Sequence, residues 1–437
     1  MIAFATLLLG LVLGPQQVDL VVEGDTARVE LLLDGKLAGE DHEPPWSIRC
    51  DLGPDLHPHR LEAVAWDAED NELGRATQWV NLPRSRAEAA FVLEGEDPQR
   101  PERARLIWEH IEYAAAQKVV VRLDGEPLPF ESTDHIPLPE LDAGRLHTLE
   151  AELVFPDGTR YQAELAFSGR LGGDADIQLT GLTYTHRRRS LPALDRLGGW
   201  VAVDGRPLAV RGVERAPGKV VFVIDHSAIP ALRQLAPFGP AITTPETAMR
   251  QGEVVEFLFP YARMAEAQVG GRLFTISQPF PASGASFAQL ATRVAAPEPT
   301  ERRRVTDAVA VAAVQAASES RPRAVVLVLG HEDEDTSAYR VEEVQRFLGE
   351  LRVPLHVWWT GRPQSRTISE DRRPVRVETP WGDARDISSV TRIVAASQLL
   401  RQSLDEQITL WVEGQHLPHE VELTAEAKGL ELPSAER

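Results

Sequence analysis

Two regimes of hydrophobic patterning divide the chain. Over residues 18–169, apolar and polar residues alternate in short runs separated by turn residues. This period-two signature belongs to half-buried antiparallel strands. From residue 219 onward the apolar residues come in unbroken blocks: "VVFVI" (220–224), "VVEFLFPY" (254–261), "RLFTISQPF" (272–280), "RAVVLVLG" (323–330), "PLHVWWTG" (354–361) and "ITLWVEG" (408–414). Helical patterns fall between them at 304–320, 341–352 and 388–407. Unbroken blocks fit strands buried on both faces. Their alternation with helices predicts a mostly parallel, doubly wound sheet with right-handed crossovers.

Within the alternating region the chain repeats itself. "VELLLDGKLAGE" (29–40) matches "VVVRLDGEPLPF" (119–130), and both match "WVAVDGRPLAVR" (200–211). Asp-Gly between β-rich runs predicts a type I′ hairpin, because that turn needs positive φ at both central residues. The first two copies stay similar downstream, "HRLEAVAWDAED" against "HTLEAELVFPDG", with His59 and His147 placed 25 and 23 residues after the Asp. These two copies read as complete antiparallel immunoglobulin-like sandwiches. The paired histidines read as fixing a turn or strand start rather than as ligands, since neither copy offers a second ligand nearby. The third copy runs straight into the parallel-type region.

The N-terminus changes the picture. Residues 2–13 are apolar, too short to span a bilayer comfortably and the right length for a secretory leader core. The expected organisation is a leader (1–17), two immunoglobulin-like sandwiches (18–83 and 84–170), a β-rich leader and hairpin (171–216) and an α/β domain (217–437). Export to the periplasm, cell surface or medium follows from the leader. The lone Cys50 forbids an internal disulfide and reads as a small buried hydrophobe. A net charge of −20 disfavours nucleic acid and anionic lipid as partners. The basic clusters "HRRRS" (186–190) and "ERRR" (301–304) are too short to reverse that and read as solvated segments.

Candidate chemistry centres on "KVVFVIDHSAIPAL" (219–232), where a buried strand ends in Asp225-His226-Ser227. Parallel sheets present ligand-binding groups at such carboxyl ends. The Asp-x-Ser strand end, the long helix, the next apolar strand and the "VPLHVW" strand together resemble a von Willebrand factor type A domain. They are most similar to a bacterial exported group in which immunoglobulin-like modules and an "EDG"-type hairpin, here "VAVDGRPLAVRGVE", precede the A domain. The resemblance covers residues 174–437, with 18–169 as the immunoglobulin-like repeats. It implies a divalent-cation adhesion site of D-x-S-x-S, a Thr and an Asp. Here Ile229 replaces the second Ser, Arg302 and Arg303 stand where the Thr belongs, Thr306 sits beside Asp307 instead, and His331 replaces the Asp. Mg²⁺ needs about six oxygens, so the site reads as degenerate and metal-free, with Asp225 hydrogen-bonded to Ser227 or a loop N–H.

Other constellations add little. "HEDED" (331–335) lacks EF-hand spacing and reads as an acidic loop, and Pro418 prevents His416 and His419 from aligning for zinc on a helix. No G-x-S-x-G, H-E-x-x-H, G-x-x-x-x-G-K or G-x-G-x-x-G is present. A Ser227–His331 dyad would sit at neighbouring strand ends without a visible oxyanion hole. The expectation is an exported, non-enzymatic protein-interaction or scaffold protein without cofactor. Its partner cleft would be formed by Asp225, His226, Ser227, His331, Glu332 and Asp333. A hydrolase and a metal-dependent adhesion module are the alternatives.

Overall fold

Asp34 and Gly35 have φ of 51° and 74°, and Asp124 and Gly125 have 52° and 84°. Both repeats therefore make the left-handed turn that Asp-Gly predicts. A computed structural model describes residues 2–6, 8, 10–22, 26–82, 87–94, 101–110, 115–139, 141, 147–155, 160–167, 179–188, 190–193, 196–262, 274–277, 279–281, 284–296, 302–331, 334–361 and 376–434. Strands make up 43% and helices 19% of it, so the chain is predominantly β. It divides into two compact units, Met1–Pro83 with Leu179–Arg437, and Arg84–Gln178.

The first sandwich opens the larger unit. Strands β1 (Ile2–Phe4), β2 (Pro15–Val22) and β5 (Ser47–Asp51) form one sheet, and β4 (Lys36–Asp41), β3 (Arg28–Leu33), β6 (His59–Trp66) and β7 (Glu72–Val80) the other. Val18, Val29, Leu31, Ile48, Leu61 and Val80 fill the space between them. Cys50 lies in this core, where burial and then the charges of Asp51 and Asp34 push its thiol up to about 11. The expected leader is built into the sandwich. Its first strand pairs antiparallel with β2, and Ile2 and Leu8 are core residues. The Leu8 N–H donates to Gln78 Oε1 at 2.7 Å, and the Asn81 side chain holds both the N–H and the carbonyl of Val12, at 2.8 and 2.7 Å.

The smaller unit repeats the plan. Strands β8 (Ala87–Glu94), β9 (Arg103–His110) and β12 (Ile136–Pro137) face β10 (Lys118–Leu123), β11 (Glu126–Pro127), β13 (His147–Val154) and β14 (Arg160–Phe167), over Leu106, Val121, Ile136, Leu149 and Leu153. The paired histidines do the same job in both copies. His59 Nδ1 lies 2.8 Å from Asp34 Oδ2 while the Arg60 N–H donates to Asp34 Oδ1 at 2.8 Å. His147 Nδ1 lies 2.8 Å from Asp124 Oδ2 while the Thr148 N–H donates to Asp124 Oδ1 at 2.9 Å. Each Asp thus ties its own hairpin turn to a later strand, which is why Asp and His recur together.

The rest of the larger unit is a β layer and an α/β body. The β layer draws strands from both sides of the body in sequence. Strands β15 (Leu179–His186) and β18 (Val210–Glu214) sandwich the late strand β27 (Gln407–Glu413), with β29 (Leu430–Glu431) at the edge. Strands β16 (Val201–Val203), β17 (Arg206–Pro207) and β28 (Glu422–Leu423) form the facing sheet. The apolar block 408–414, expected to follow its helix into the parallel sheet, instead pairs antiparallel with β15 and β18. Its preceding residue explains the departure. The Gln407 side-chain amide closes both backbone groups of Arg323, accepting from its N–H at 2.8 Å and donating to its carbonyl at 3.0 Å. The chain therefore passes across the start of a central strand instead of extending the sheet edge.

The body is an eight-stranded sheet of β19 (Lys219–Ile224), β20 (Val254–Ala262), β21 (Phe274–Ile276), β22 (Phe280–Pro281), β23 (Arg323–Leu329), β24 (Leu355–Trp359), β25 (Arg376–Thr379) and β26 (Gly382–Asp386), in the order β21-β20-β19-β23-β24-β26-β25 with β22 also on β20. Strands β20, β19, β23, β24 and β26 run parallel, while β21, β22 and β25 are antiparallel. Side chains alternate between two cores. Val220, Phe222 and Ile224 pack with α1 (Ile229–Leu235), α2 (Gly239–Ile242), α3 (Phe287–Arg293) and α6 (Val390–Asp405). Val221 and Val223 pack with α4 (Val305–Ala317) and α5 (Val341–Glu350), and Leu56 of the first sandwich joins this second core.

One buried side chain makes the body acid-sensitive. His356 in β24 is 6% exposed, and its Nε2 has no hydrogen-bond partner among the described residues. Burial, then the charge of Arg385, pushes its pKa from 6.5 down to about 4. Between those values the unfolded chain takes up a proton that the folded chain refuses, so stability falls as pH drops through that window. The expected loss is roughly 3 kcal/mol. Urea titrations at neutral and mildly acid pH should show this loss, and His356→Leu should flatten it. An acid limb unmoved by the substitution would clear His356 as its source.

Candidate functional site

The carboxyl ends of β19 and β23 adjoin at the point where the connections diverge. The chain leaves β19 for its neighbour β20 on one side, then crosses with α4 to β23 on the other. Open α/β sheets form their binding crevices at such points. Asp225 ends β19 there with its side chain fully buried, and Ser227 is 4% exposed. Ser227 Oγ donates to Asp225 Oδ2 at 2.7 Å, one of the two partners the sequence suggested for that carboxylate.

The other partner is an arginine. Arg303 Nε donates to Asp225 Oδ1 at 3.1 Å and Nη2 to Asp225 Oδ2 at 2.9 Å, a two-pronged charge-assisted pair. Burial opposes the charge on Arg303, but the hydrogen bonds and charge of Asp225 outweigh it and raise its pKa above the ordinary value. Arg303 also binds the loop after β23. Its Nη1 donates to the Glu334 carbonyl, and its own carbonyl accepts from the N–H and Oγ1 of Thr336, both at 2.9 Å. Its backbone bridges Tyr261 at the end of β20. One residue therefore joins the ends of three strands.

Two further residues shape the crevice. Gly330 follows β23 against the Asp225–Ser227 turn, where a Cβ would stand 2.0 Å from Ser227 Oγ and 2.4 Å from the Ser227 carbonyl carbon. Only glycine allows that approach. Asp335 accepts from the N–H groups of Val305 and Thr306 at 3.0 and 3.1 Å, from Thr306 Oγ1 at 2.7 Å, and from Ser337. It thereby caps the start of α4 from a separate loop. Burial opposes its ionisation, but the hydrogen bonds from Ser337, Thr306 and Val305 prevail and hold its carboxyl below the usual range. The segment read as a solvated acidic loop thus includes a structural cap.

The six residues expected to form the cleft separate. Asp225 and Ser227 are the buried floor and cannot touch a partner, because Arg303 and Gly330 cover them. His226 is half-buried, edge-on to Tyr261 with ring centroids 6.0 Å apart. His331 is exposed, and no hydrogen bond joins it to Ser227 among the described residues. Glu332 and Asp333 lie outside the described residues. The cation implied by the resemblance does not fit. Both Asp225 oxygens are engaged by a guanidinium, and Thr306 serves Asp335. Ser227 Oγ donates to the carboxylate that Arg303 pairs with, and no hydrogen bond joins it to a histidine among the described residues. Sequence reasoning noted Arg303 as an obstacle but not as the counter-ion. The available signal was a carboxylate bound for burial beside an "ERRR" segment.

No protein-family model matches the chain, and no curated protein matches it. Among solved structures, it is similar to fibronectin(III)-like modules of Clostridium thermocellum CbhA, at 20% identity over 18% of this chain and 93% of that one, TM-score 0.17. It is also similar to the central fibronectin-III array of RIM-binding protein, at 12% identity over 45% and 81%, TM-score 0.22. A Parabacteroides merdae β-glucuronidase matches at 13% identity over 38% of this chain and 24% of that one, TM-score 0.18. The chain's own geometry shows two antiparallel β-sandwiches, one in each unit.

Proposed function

We propose that the chain is a non-enzymatic recognition or scaffold protein in which a von Willebrand A-like, doubly wound domain carries an arginine in place of the divalent cation. Support for the domain reading comes from the order β21-β20-β19-β23-β24-β26, the antiparallel edge strand and the Asp-x-Ser turn at its switch point. The observation that carries the functional reading is the Arg303–Asp225 pair, in which one arginine joins the ends of three strands. The recognition surface is then the rim above that floor, where Arg302 and His331 are exposed. The partner is a protein, given the strongly acidic chain. Export belongs to the proposal with residues 2–13 retained, because cleavage would strip a strand and its hydrogen bonds from the first sandwich.

Three measurements test this reading. A bound cation would stabilise the native state by about 2.7 kcal/mol at roughly a hundredfold excess over Kd. Millimolar Mg²⁺ or Mn²⁺ should therefore leave the melting temperature unmoved. The full chain used as bait on host envelope extracts should capture a protein that an Arg302→Glu/His331→Glu variant releases. It should also be inert on ester and phosphoester panels. Turnover would favour the hydrolase, and a metal-induced rise abolished by Asp225→Ala would favour the adhesion module.

A further inference from the structure

Buried cations in the larger unit are normally matched by carboxylates: Arg303 with Asp225, Arg401 with Glu253, Lys219 with Glu256. Arg323, the first residue of β23, breaks the pattern. It is 4% exposed and has no acidic partner among the described residues. Nε reaches the Arg352 carbonyl at 3.5 Å, and Nη1 reaches the carbonyls of Ala317 and Glu319 at 3.3 and 3.4 Å. These contacts are long for N–H···O bonds. Nη2 has no acceptor among the described residues. The neighbouring charge is another buried guanidinium, Arg352, which is already engaged with the Pro418 and Val421 carbonyls and the Tyr184 ring. Burial, then that like charge, pushes the Arg323 pKa down to about 9. A buried cation held this way is costly unless an anion completes it.

Arg323 lines a cleft of about 290 Å³ together with Trp79, Leu82, Leu179, Ser318 and His416. Its lining combines apolar side chains with the hydroxyls of Thr180, Ser318 and Ser320. Leu179 stands on the rim, 43% exposed. We propose that this cleft binds the carboxylate of a small ligand bearing an apolar or aromatic group, the carboxylate on Arg323 and the apolar group against Trp79 and Leu179. The volume suits one residue-sized group, at the small end for ligand sites. A free organic acid and a peptide C-terminus share this chemistry. The cleft shares no residue with the Arg303 site, so either assignment can fail alone.

Calorimetry on the full chain tests it with phenylpropionate, phenylpropionamide, and a Gly-Gly-Gly-Phe peptide with free or amidated C-terminus. The acid should bind at least about tenfold more tightly than its amide, the scale of a charge-assisted pair. Arg323→Met should erase that preference. Leu179→Asp, on the exposed rim, should weaken the acid by at least about tenfold, and it keeps the test decisive if Arg323→Met does not fold. Binding of the free-acid peptide as well as phenylpropionate assigns the source to peptide termini, and binding of phenylpropionate alone assigns it to a free acid. Equal binding of acid and amide, no binding in the millimolar range, or indifference to Leu179→Asp would overturn the proposal.

Discussion

Arg303→Met is expected to destabilise the larger unit by about 3–5 kcal/mol, the usual cost of leaving a buried charge without its partner. Asp225 is fully buried, and the substitution removes two of the three hydrogen bonds that its side chain accepts among the described residues. The methionine also abandons the Glu334 carbonyl, so the loop after β23 loses one of its anchors and keeps those made by Thr336 and Asp335. The double variant Arg303→Met/Asp225→Asn should recover at least about half of the loss, because contacting residues couple strongly. Urea unfolding of the three variants measures both terms. A double variant no more stable than Arg303→Met would show that the arginine acts through packing and not as a counter-ion.

Gly330→Ala should be nearly as severe, at ~3 kcal/mol or more. The added methyl would stand 2.4 Å from the Ser227 carbonyl carbon and 2.6 Å from the Ala228 nitrogen, so backbone and not a flexible side chain must yield. Moving that turn also breaks the Ser227–Asp225 hydrogen bond and misaims Asp225 toward Arg303. Ser227→Ala removes only the hydroxyl and should cost about 1 kcal/mol, the ordinary net worth of such a bond. The contrast between the two separates steric crowding from the lost hydrogen bond. A Gly330→Ala protein as stable as the parent would mean that β23 and the turn sit farther apart than described.

The places where sequence reasoning stopped share a cause. Asp-Gly turns and period-two strands depend on neighbours in the chain, and they were legible. The Asp–His pairs were visible as a recurring spacing but not as a bond. The histidine's partner was the turn Asp itself, already singled out for another reason. The apolar composition of residues 2–13 predicts a leader and carries no record of the Gln78 and Asn81 side chains that hold this segment in the sandwich. The pattern of 408–414 predicts a strand of the parallel sheet, and the strand lies in the β layer instead, because a strand's pattern specifies its buried faces and not its partner.

What the sequence determined by itself was therefore local. It set the two sandwiches with their left-handed turns, the unbroken apolar strands of the body, and the Asp-x-Ser turn deprived of its oxygen ligands. Each follows from propensity, periodicity or donor chemistry within a few residues. Only the tertiary structure decided that Arg303 lands on Asp225 from 78 residues away, that Gln407 closes Arg323 from 84 residues away, and that Arg323 is left without a counter-ion among the described residues. Charge pairing in a folded core depends on which loops meet, and loops meet through packing of the sheet beneath them. The pattern along the chain sets that sheet, but the register of its loop contacts exists only once the layers have closed.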